Sequence, residues 1–325
     1  MAIRPFLFAA LLPATLFACG GGGDSVIVPT GMHTHYVVNK IQVPTNNTQS
    51  RDFGLDLNGD KTVDNQLGMV LGTLAGQGVD VQTSVDTAVT HGSIILLADV
   101  QTADFMSSSA AGFQLFLGDN ATAMPKPCTD TADMTCGHHL TGTGMFSIAA
   151  NSPNDAALTG KIIGGTFTTA TPGDIQLQIS LGGPNPVSLS LIGARIQASG
   201  MSATGVMSAI LAGAITQDDL NNHVLPAVHD NVLLPILDKD CPGRTALDAP
   251  ACKCKDASGG KQVISLLDTS PADCNVTLDE IKNNGLFSSL LAPDVMLDVN
   301  GVLTPALSLG LKATAVAGAF TQPTP

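Results

Sequence analysis

The sequence predicts an α+β fold: a single domain in which an antiparallel, sandwich-like β-sheet packs with short helices and carries a disulfide-stapled insert. Three observations predict it. Ile175, Leu177, Ile179 and Leu181 alternate with Gln176, Gln178 and Ser180, the period of a half-buried strand. Leu67, Val70, Leu71 and Leu74 recur at i, i+3, i+4 and i+7, the period of an amphipathic helix. Strand patterns stand toward both termini with helical patterns between them, the order of an α+β domain rather than of alternating βαβ units.

The elements follow in order. His35 to Val43 reads as a strand ended by Pro44, and Thr45 to Asp52 as a polar loop. The helix around Leu67 ends at Gly76-Gln77-Gly78, and Val81, Val85, Ala88 and Val89 mark a second helix stopped by Gly92. Ser93 to Val100 is an apolar run expected to form a buried strand. Phe113–Leu117 and Met145–Ala149 are short strands, and Lys161–Thr169 is another with a bulge at Gly164-Gly165. Gly182-Gly183-Pro184-Asn185 turns the alternating strand into Val187–Ala198, its antiparallel neighbour. Helical periodicity is read again from Val206. A capping box at Thr216 and Asp219 then opens a helix with an i+4 stripe of Leu220, Val224, Val228, Val232 and Ile236. Pro226 and Pro235 are expected to kink or split it. Residues 240–275 show no apolar period and read as a Cys-rich surface insert. Thr277 and Glu280 cap a short helix closed by Asn284-Gly285, and Leu307–Phe320 is the last strand.

Composition narrows the function. Net charge is −13, and 26 of the 27 acids are Asp, with Glu280 the one Glu. No basic stripe is present to neutralise phosphates, so nucleic acid is not an expected partner. With no Trp and one Tyr, the chain lacks the aromatic platforms that sugar binding favours. Asp pairs for glycoside hydrolysis carry no spacing signature that sequence could reveal. There is no G-x-S-x-G, H-E-x-x-H, P-loop or G-x-G-x-x-G.

The first residues carry an address. Arg4 precedes an apolar stretch from Phe6 to Phe17, too short to span a bilayer and right for a signal peptide over residues 1–18. Leu16-Phe17-Ala18-Cys19, followed by Gly20 to Gly23, resembles the lipobox of bacterial lipoproteins. That resemblance implies cleavage before Cys19, which is left carrying acyl chains, and a membrane partner through the lipid. Residues 19–30 then form the tether and 31–325 the domain. Since no Asp follows Cys19, the resemblance further implies sorting to the outer membrane of the cell envelope.

Six cysteines remain, an even number in an oxidising compartment. Cys128 and Cys136 are expected to close a short loop. Cys252 and Cys254 are too close to bridge each other and pair outward to Cys241 and Cys274 in either order. The missing C-x-x-C spacing speaks against zinc.

One constellation carries chemistry. Asp56, Asn58, Asp60, Thr62 and Asp64 occupy positions 1, 3, 5, 7 and 9 of a loop over 56–67, and alternate residues of a tight loop can turn oxygens inward onto a hard cation. Val63 is expected to anchor the loop in the core. The segment resembles the calcium loops of EF-hands and of dockerin repeats. It departs from them at position 6, where Lys61 replaces Gly, and at position 12, where Leu67 replaces the bidentate acid. The shell is short by two oxygens unless Asp52 or a distant residue contributes, which implies weak affinity, roughly 10⁻⁴ to 10⁻³ M. A solvated Asp/Asn/Gly turn is the alternative. Residues 55–68 also align without gaps on 297–310, with seven of fourteen positions identical, and that copy keeps Asp298 and Asn300. His33 and His35 share one strand face and could hold a transition metal, though no third ligand is evident. His138 and His139, grouped with the first disulfide loop, are expected to be exposed.

The expectation is therefore a non-catalytic, calcium-binding or calcium-stabilised envelope lipoprotein, acting in binding or surface structure. A secreted hydrolase without a recognisable motif and a carrier of apolar ligands are the alternatives.

Overall fold

The structure is a computed structural model describing residues 27–76, 81–130, 132–181, 186–244, 252–299 and 301–321. The signal peptide, Cys19, most of the tether and the turn at 182–185 lie outside these residues.

The strands are β1 (Met32–Gln42), β2 (Leu96–Thr102), β3 (Ser107–Leu117), β4 (Gly144–Met145), β5 (Leu158–Ile163), β6 (Thr166–Thr169), β7 (Gly173–Ile179), β8 (Val187–Ser202), β9 (Gly205–Thr216), β10 (Val295–Val299) and β11 (Val302–Ala319). The fold is α+β, and the two halves of its sheet face each other across the core. Eight strands run antiparallel in the order β1-β2-β3-β5-β6-β8-β9-β11, and β11 pairs back to β1, so the sheet closes into a ring. Closure removes the edges that an open sheet leaves available for aggregation.

Binary patterning explains the ring's interior. Cross-strand partners Ala98 and Leu115, Val100 and Phe113, Phe113 and Leu158, and Ile162 and Phe167 face inward. The path continues through Phe167 and Ala198, Ala198 and Ala209, Ala209 and Ala313, and Ala313 and Ile41, which returns it to β1. Small residues at Ala98, Gly160, Ala198, Ala209 and Ala313 leave room for Tyr36, Phe113 and Phe167, the large–small alternation that fills a narrow barrel. Tyr36 is fully buried on β1, and its hydroxyl donates to the Ser202 carbonyl on β8 at 2.7 Å.

The two ends of the ring differ. At one end the connections are tight turns: residues 103–106, Gly164-Gly165 and residues 203–204. Gly164 and Gly165 both take positive φ (59° and 78°), so what reads in sequence as a bulged strand is a two-residue hairpin. At the other end the connections are long, and those from β1 to β2 and from β9 to β10 are helical. They hold α1 (Asn47–Asp52), α2 (Gln66–Gly76), α3 (Val81–Thr90), α4 (Gln217–Asp219), α5 (Leu225–Val228), α6 (Leu234–Asp240), α7 (Gly259–Leu267), α8 (Leu278–Asn283) and α9 (Gly285–Leu290). Gln82 of α3 locks this cap onto β1, accepting from the Val43 amide and donating to the Ile41 carbonyl.

Four local expectations are corrected. The polar loop at 45–52 contains α1, because Asn46 caps it by accepting from the Gln49 amide. Residues 205–216 are strand: in β9 the apolar side chains alternate against β8 and β11, and the β-branched and small residues suit a pleated surface. Pro226 and Pro235 do not split their helix. The backbone stays right-handed helical from α4 to α6, widening to π-turns at Leu220–Val224 and at His229–Leu233. The wider turn leaves space for a proline ring and lacks the hydrogen bond a proline cannot donate. The Cys-rich segment, which shows no helical period in sequence, contains α7, capped by Ser258.

Candidate metal centre

The loop from Leu55 to Asp64 is closed at its neck by an antiparallel bridge, with the Asp64 amide donating to the Leu55 carbonyl at 3.0 Å. Inside the neck, short polar side chains collect backbone donors. Asp56 accepts from the amides of Gly59 (2.6 Å) and Lys61 (2.9 Å), Asn58 from that of Asp60 (3.0 Å), and Asp60 from that of Thr62 (2.7 Å). Lys61 sits at φ 69°, the left-handed conformation for which the calcium-loop pattern uses Gly at position 6. The departure at that position is therefore one of residue type and not of backbone shape.

The anchor differs from expectation. Val63 is 50% exposed, and Leu57 instead is buried against Ala212, Ala214, Val295, Leu297 and Ala306 on the outer face of β9 and β11. Leu57 points inward because the Asp64 carboxylate accepts from its amide at 2.8 Å and turns that residue toward the sheet.

Asn58, Asp60 and Thr62 are exposed, whereas Asp64 is buried. Hydrogen bonds from Thr62 hold Asp60 below the usual carboxylate range. Burial pushes Asp64 above it, opposed by the Leu57 amide and reinforced by the nearby charges of Asp294, Asp60 and Asp56. Asp294 is a distant acid whose charge reaches Asp64 only through the fold. It precedes β10 and accepts from both the Ser308 amide and hydroxyl, while that hydroxyl receives the Gln66 amide at 2.7 Å. Among the described residues, the ion pairs of the molecule lie elsewhere, and no Lys, Arg or His pairs with these four acids.

The two copies of the internal repeat share a turn and then diverge. Asp298 accepts from the Gly301 amide at 2.7 Å as Asp56 does from that of Gly59, but the second copy continues as the β10–β11 hairpin. Asn300 lies outside the described residues. The copies also dock on each other: the Asn65 side chain accepts from the Gly310 amide (2.8 Å) and donates to the Gly310 carbonyl (3.1 Å).

The six cysteines beyond Cys19 all pair, as Cys128–Cys136, Cys241–Cys254 and Cys252–Cys274. This resolves the order left open by the sequence. Among the described residues, acidic, His and Cys groups gather in threes within 4.8 Å at His91/Cys128/Cys136 and at Cys252/Asp268/Cys274. In both groups the two sulfurs are bonded to each other and are not metal ligands. The three acids of the loop are not drawn together that tightly. His138 is exposed, but His139 is fully buried with its ring edge-on to Phe146, 6.4 Å between centroids. Burial pushes its pKa down, against a weaker opposing contribution from the Val89 backbone. The expectation of exposure fails because residues 138–140 form a 3-10 turn that rolls His139 under β4.

No protein-family model, curated protein or solved structure matches this chain.

Proposed function

We propose that this chain is a calcium-stabilised envelope protein, tethered to a membrane through acylated Cys19, and that it acts in binding or surface structure rather than catalysis. The observation that carries the reading is a buried carboxylate, Asp64, set among Asp56, Asp60 and Asp294 with no cationic side chain paired to any of them among the described residues. Gathered like charges raise the free energy of the folded state, and a divalent cation is the group that reverses this. Asp56, Asn58, Asp60, Asp64 and the Thr62 carbonyl are the candidate donors. The three disulfides agree with export to an oxidising compartment.

The test is thermal melting of the purified full chain in detergent, with and without calcium. With a dissociation constant of roughly 10⁻⁴ to 10⁻³ M, about 10 mM calcium adds about 1.4 to 2.7 kcal/mol by linkage, a shift of several degrees. Asp60→Ala should abolish the shift. Asp64→Asn should also abolish it while raising the calcium-free melting temperature, since the like-charge repulsion is gone. The sign of the pH dependence at Asp64 follows from its raised pKa: its own contribution to calcium-free stability is greatest at acid pH and is lost as pH rises through that raised value, and calcium flattens this decline, which Asp64→Asn removes. An unchanged melting curve in the wild-type chain would rule the ion out.

The fold also suggests an orientation. Pro29 packs on Gly112, and the Thr30 amide donates to Ala110, so the chain enters at the tight-turn end, opposite the helical cap. That end carries a rim of exposed apolar side chains: Val28, Met32, Met106, Ile163 and Met207. A tethered domain whose rim partitions into the lipid interface would present its cap and calcium loop outward. Because the chain has no Trp, Met207→Trp gives a clean reporter. Its emission should shift to the blue when the full chain is reconstituted in phospholipid vesicles, and Leu286→Trp on the cap should not shift. Equal emission at the two positions would refute the orientation.

The carrier alternative gains a location but little room. The all-apolar cavity between the cap and the ring, lined by Leu67, Leu181, Leu220, Val228, Phe287 and Leu309, holds about 70 Å³. Small-molecule sites typically hold about 300 to 1,000 Å³.

A further inference from the structure

We propose that His33, His35 and Asp99 form a binding site for a divalent first-row transition ion, Zn(II) or Cu(II), on the outer face of the ring. The site is independent of the calcium loop. His33 and His35 alternate on β1 and so project from the same face. Asp99 on β2 lies directly opposite His35 in the strand register. Its carboxylate stands between the two rings, with Oδ2 at 2.7 Å from His33 Nδ1 and Oδ1 at 3.4 Å from His35 Nε2.

The surroundings are those of a built site. Asp99 is 3% exposed, next to the apolar cluster of Val37, Leu97, Phe116 and Phe320. His35 is held by stacking on Phe320, with ring centroids 4.3 Å apart. His35 Nε2 is buried, faces the carboxylate, and makes no hydrogen bond there. His33 is 44% exposed and opens the site to solvent on one side.

Two imidazoles and one carboxylate suit zinc and copper, and three protein ligands with an open side leave a coordination position for water or an exogenous ligand. A tetrahedral ion with bonds of about 2.0 to 2.1 Å sets its donors roughly 3.3 Å apart. The contact between His35 and Asp99 already has that length. The three donor atoms are not yet within 4.8 Å of one another, so closure falls to His33, the exposed ligand near the start of β1.

The test is zinc uptake by the purified full chain in detergent, stripped with chelator and dialysed against buffered micromolar Zn²⁺, with bound metal counted per chain. We expect one zinc per chain, an affinity about 10-fold weaker in His33→Gln, and one about 100-fold weaker in the His33→Gln/His35→Gln double variant. Loaded with Cu²⁺ instead, the wild-type chain should show coupling to two imidazole nitrogens by electron paramagnetic resonance, and the double variant should not. Asp60→Ala should leave zinc uptake unchanged. Failure of the wild-type chain to take up zinc overturns the proposal, as does uptake of equal stoichiometry and affinity by the double variant. If the double variant does not fold, His33→Gln alone decides, since that half-exposed side chain can change without opening the core.

Discussion

Asn65→Ala should lower the unfolding free energy by about 3 to 5 kcal/mol. The Asn65 side chain is buried, and its whole hydrogen-bonding capacity is used. Its amide donates to the carbonyls of Ser50 (2.9 Å) and Gly310 (3.1 Å), and its oxygen accepts from the amides of Gly68 (3.0 Å) and Gly310 (2.8 Å). Each bond contributes about 1 kcal/mol net, but truncation also strands buried backbone partners at about 1 to 3 kcal/mol apiece. One residue thereby joins α1, the start of α2 and the middle of β11. The contact is close: a Cβ on Gly68 would come within 2.5 Å of Asn65 atoms, and one on Gly310 would lie 2.2 Å from the Phe53 carbonyl oxygen. Urea denaturation followed by circular dichroism measures the loss. A change below about 1 kcal/mol would mean that water replaces the side chain and that the junction is looser than these contacts indicate.

The second large effect is expected on reduction of the two disulfides that staple the cap. The Cys241–Cys254 and Cys252–Cys274 bridges span separations of 13 and 22 residues, and each restricts the unfolded chain by about 3 kcal/mol. Their loops overlap at residues 252–254, and Cys241 and Cys274 are buried, so the two bridges act together on one region. A combined loss near 6 kcal/mol is comparable to the whole stability of an ordinary domain, about 5 to 15 kcal/mol. Reductant on the wild-type chain should lower the melting temperature by more than ten degrees and open the Cys-rich segment to protease, and Cys252→Ser/Cys274→Ser, which removes one of the two bridges, should give about half that shift. Losing Cys128–Cys136, with a separation of 8 and an exposed loop, should matter less. Full reduction proven by mass spectrometry with an unaltered melting curve would refute this. The same energetics imply that the cap is secure only once both bridges have formed.

Much of the architecture is legible in local sequence. The alternation of Ile175, Leu177 and Ile179 against Gln176 and Gln178 reappears as β7 paired with β8. The buried stripe of Val81, Val85, Ala88 and Val89 is α3, and Thr277 with Glu280 forms a reciprocal capping box on α8. These succeed because the governing interactions span two to four residues. β9 misleads because Val206, Ala209 and Ile210 fit a helical period as well as a strand, and only partners on β8 and β11 decide between the two. His139 misleads because a turn, not a periodicity, buries it.

The residues of the loop at 56–64 are legible as a spacing, but their electrostatics are not. Asp64 is raised by its own burial and by Asp294, 230 positions away in the chain, and no local pattern announces that neighbour. His33 and His35 are visible as a pair, while Asp99 becomes their companion only through the register of β1 on β2. By itself the sequence determined the α+β class, the helix caps at Thr216 and Thr277 and the even count of six cysteines beyond Cys19. The tertiary structure decided closure of the ring, the order of the disulfides and the convergence of distant acids and histidines. The reason is physical: propensity, periodicity and capping act within one turn or one strand, whereas strand register, burial and Coulomb interactions are set by groups that only folding brings together.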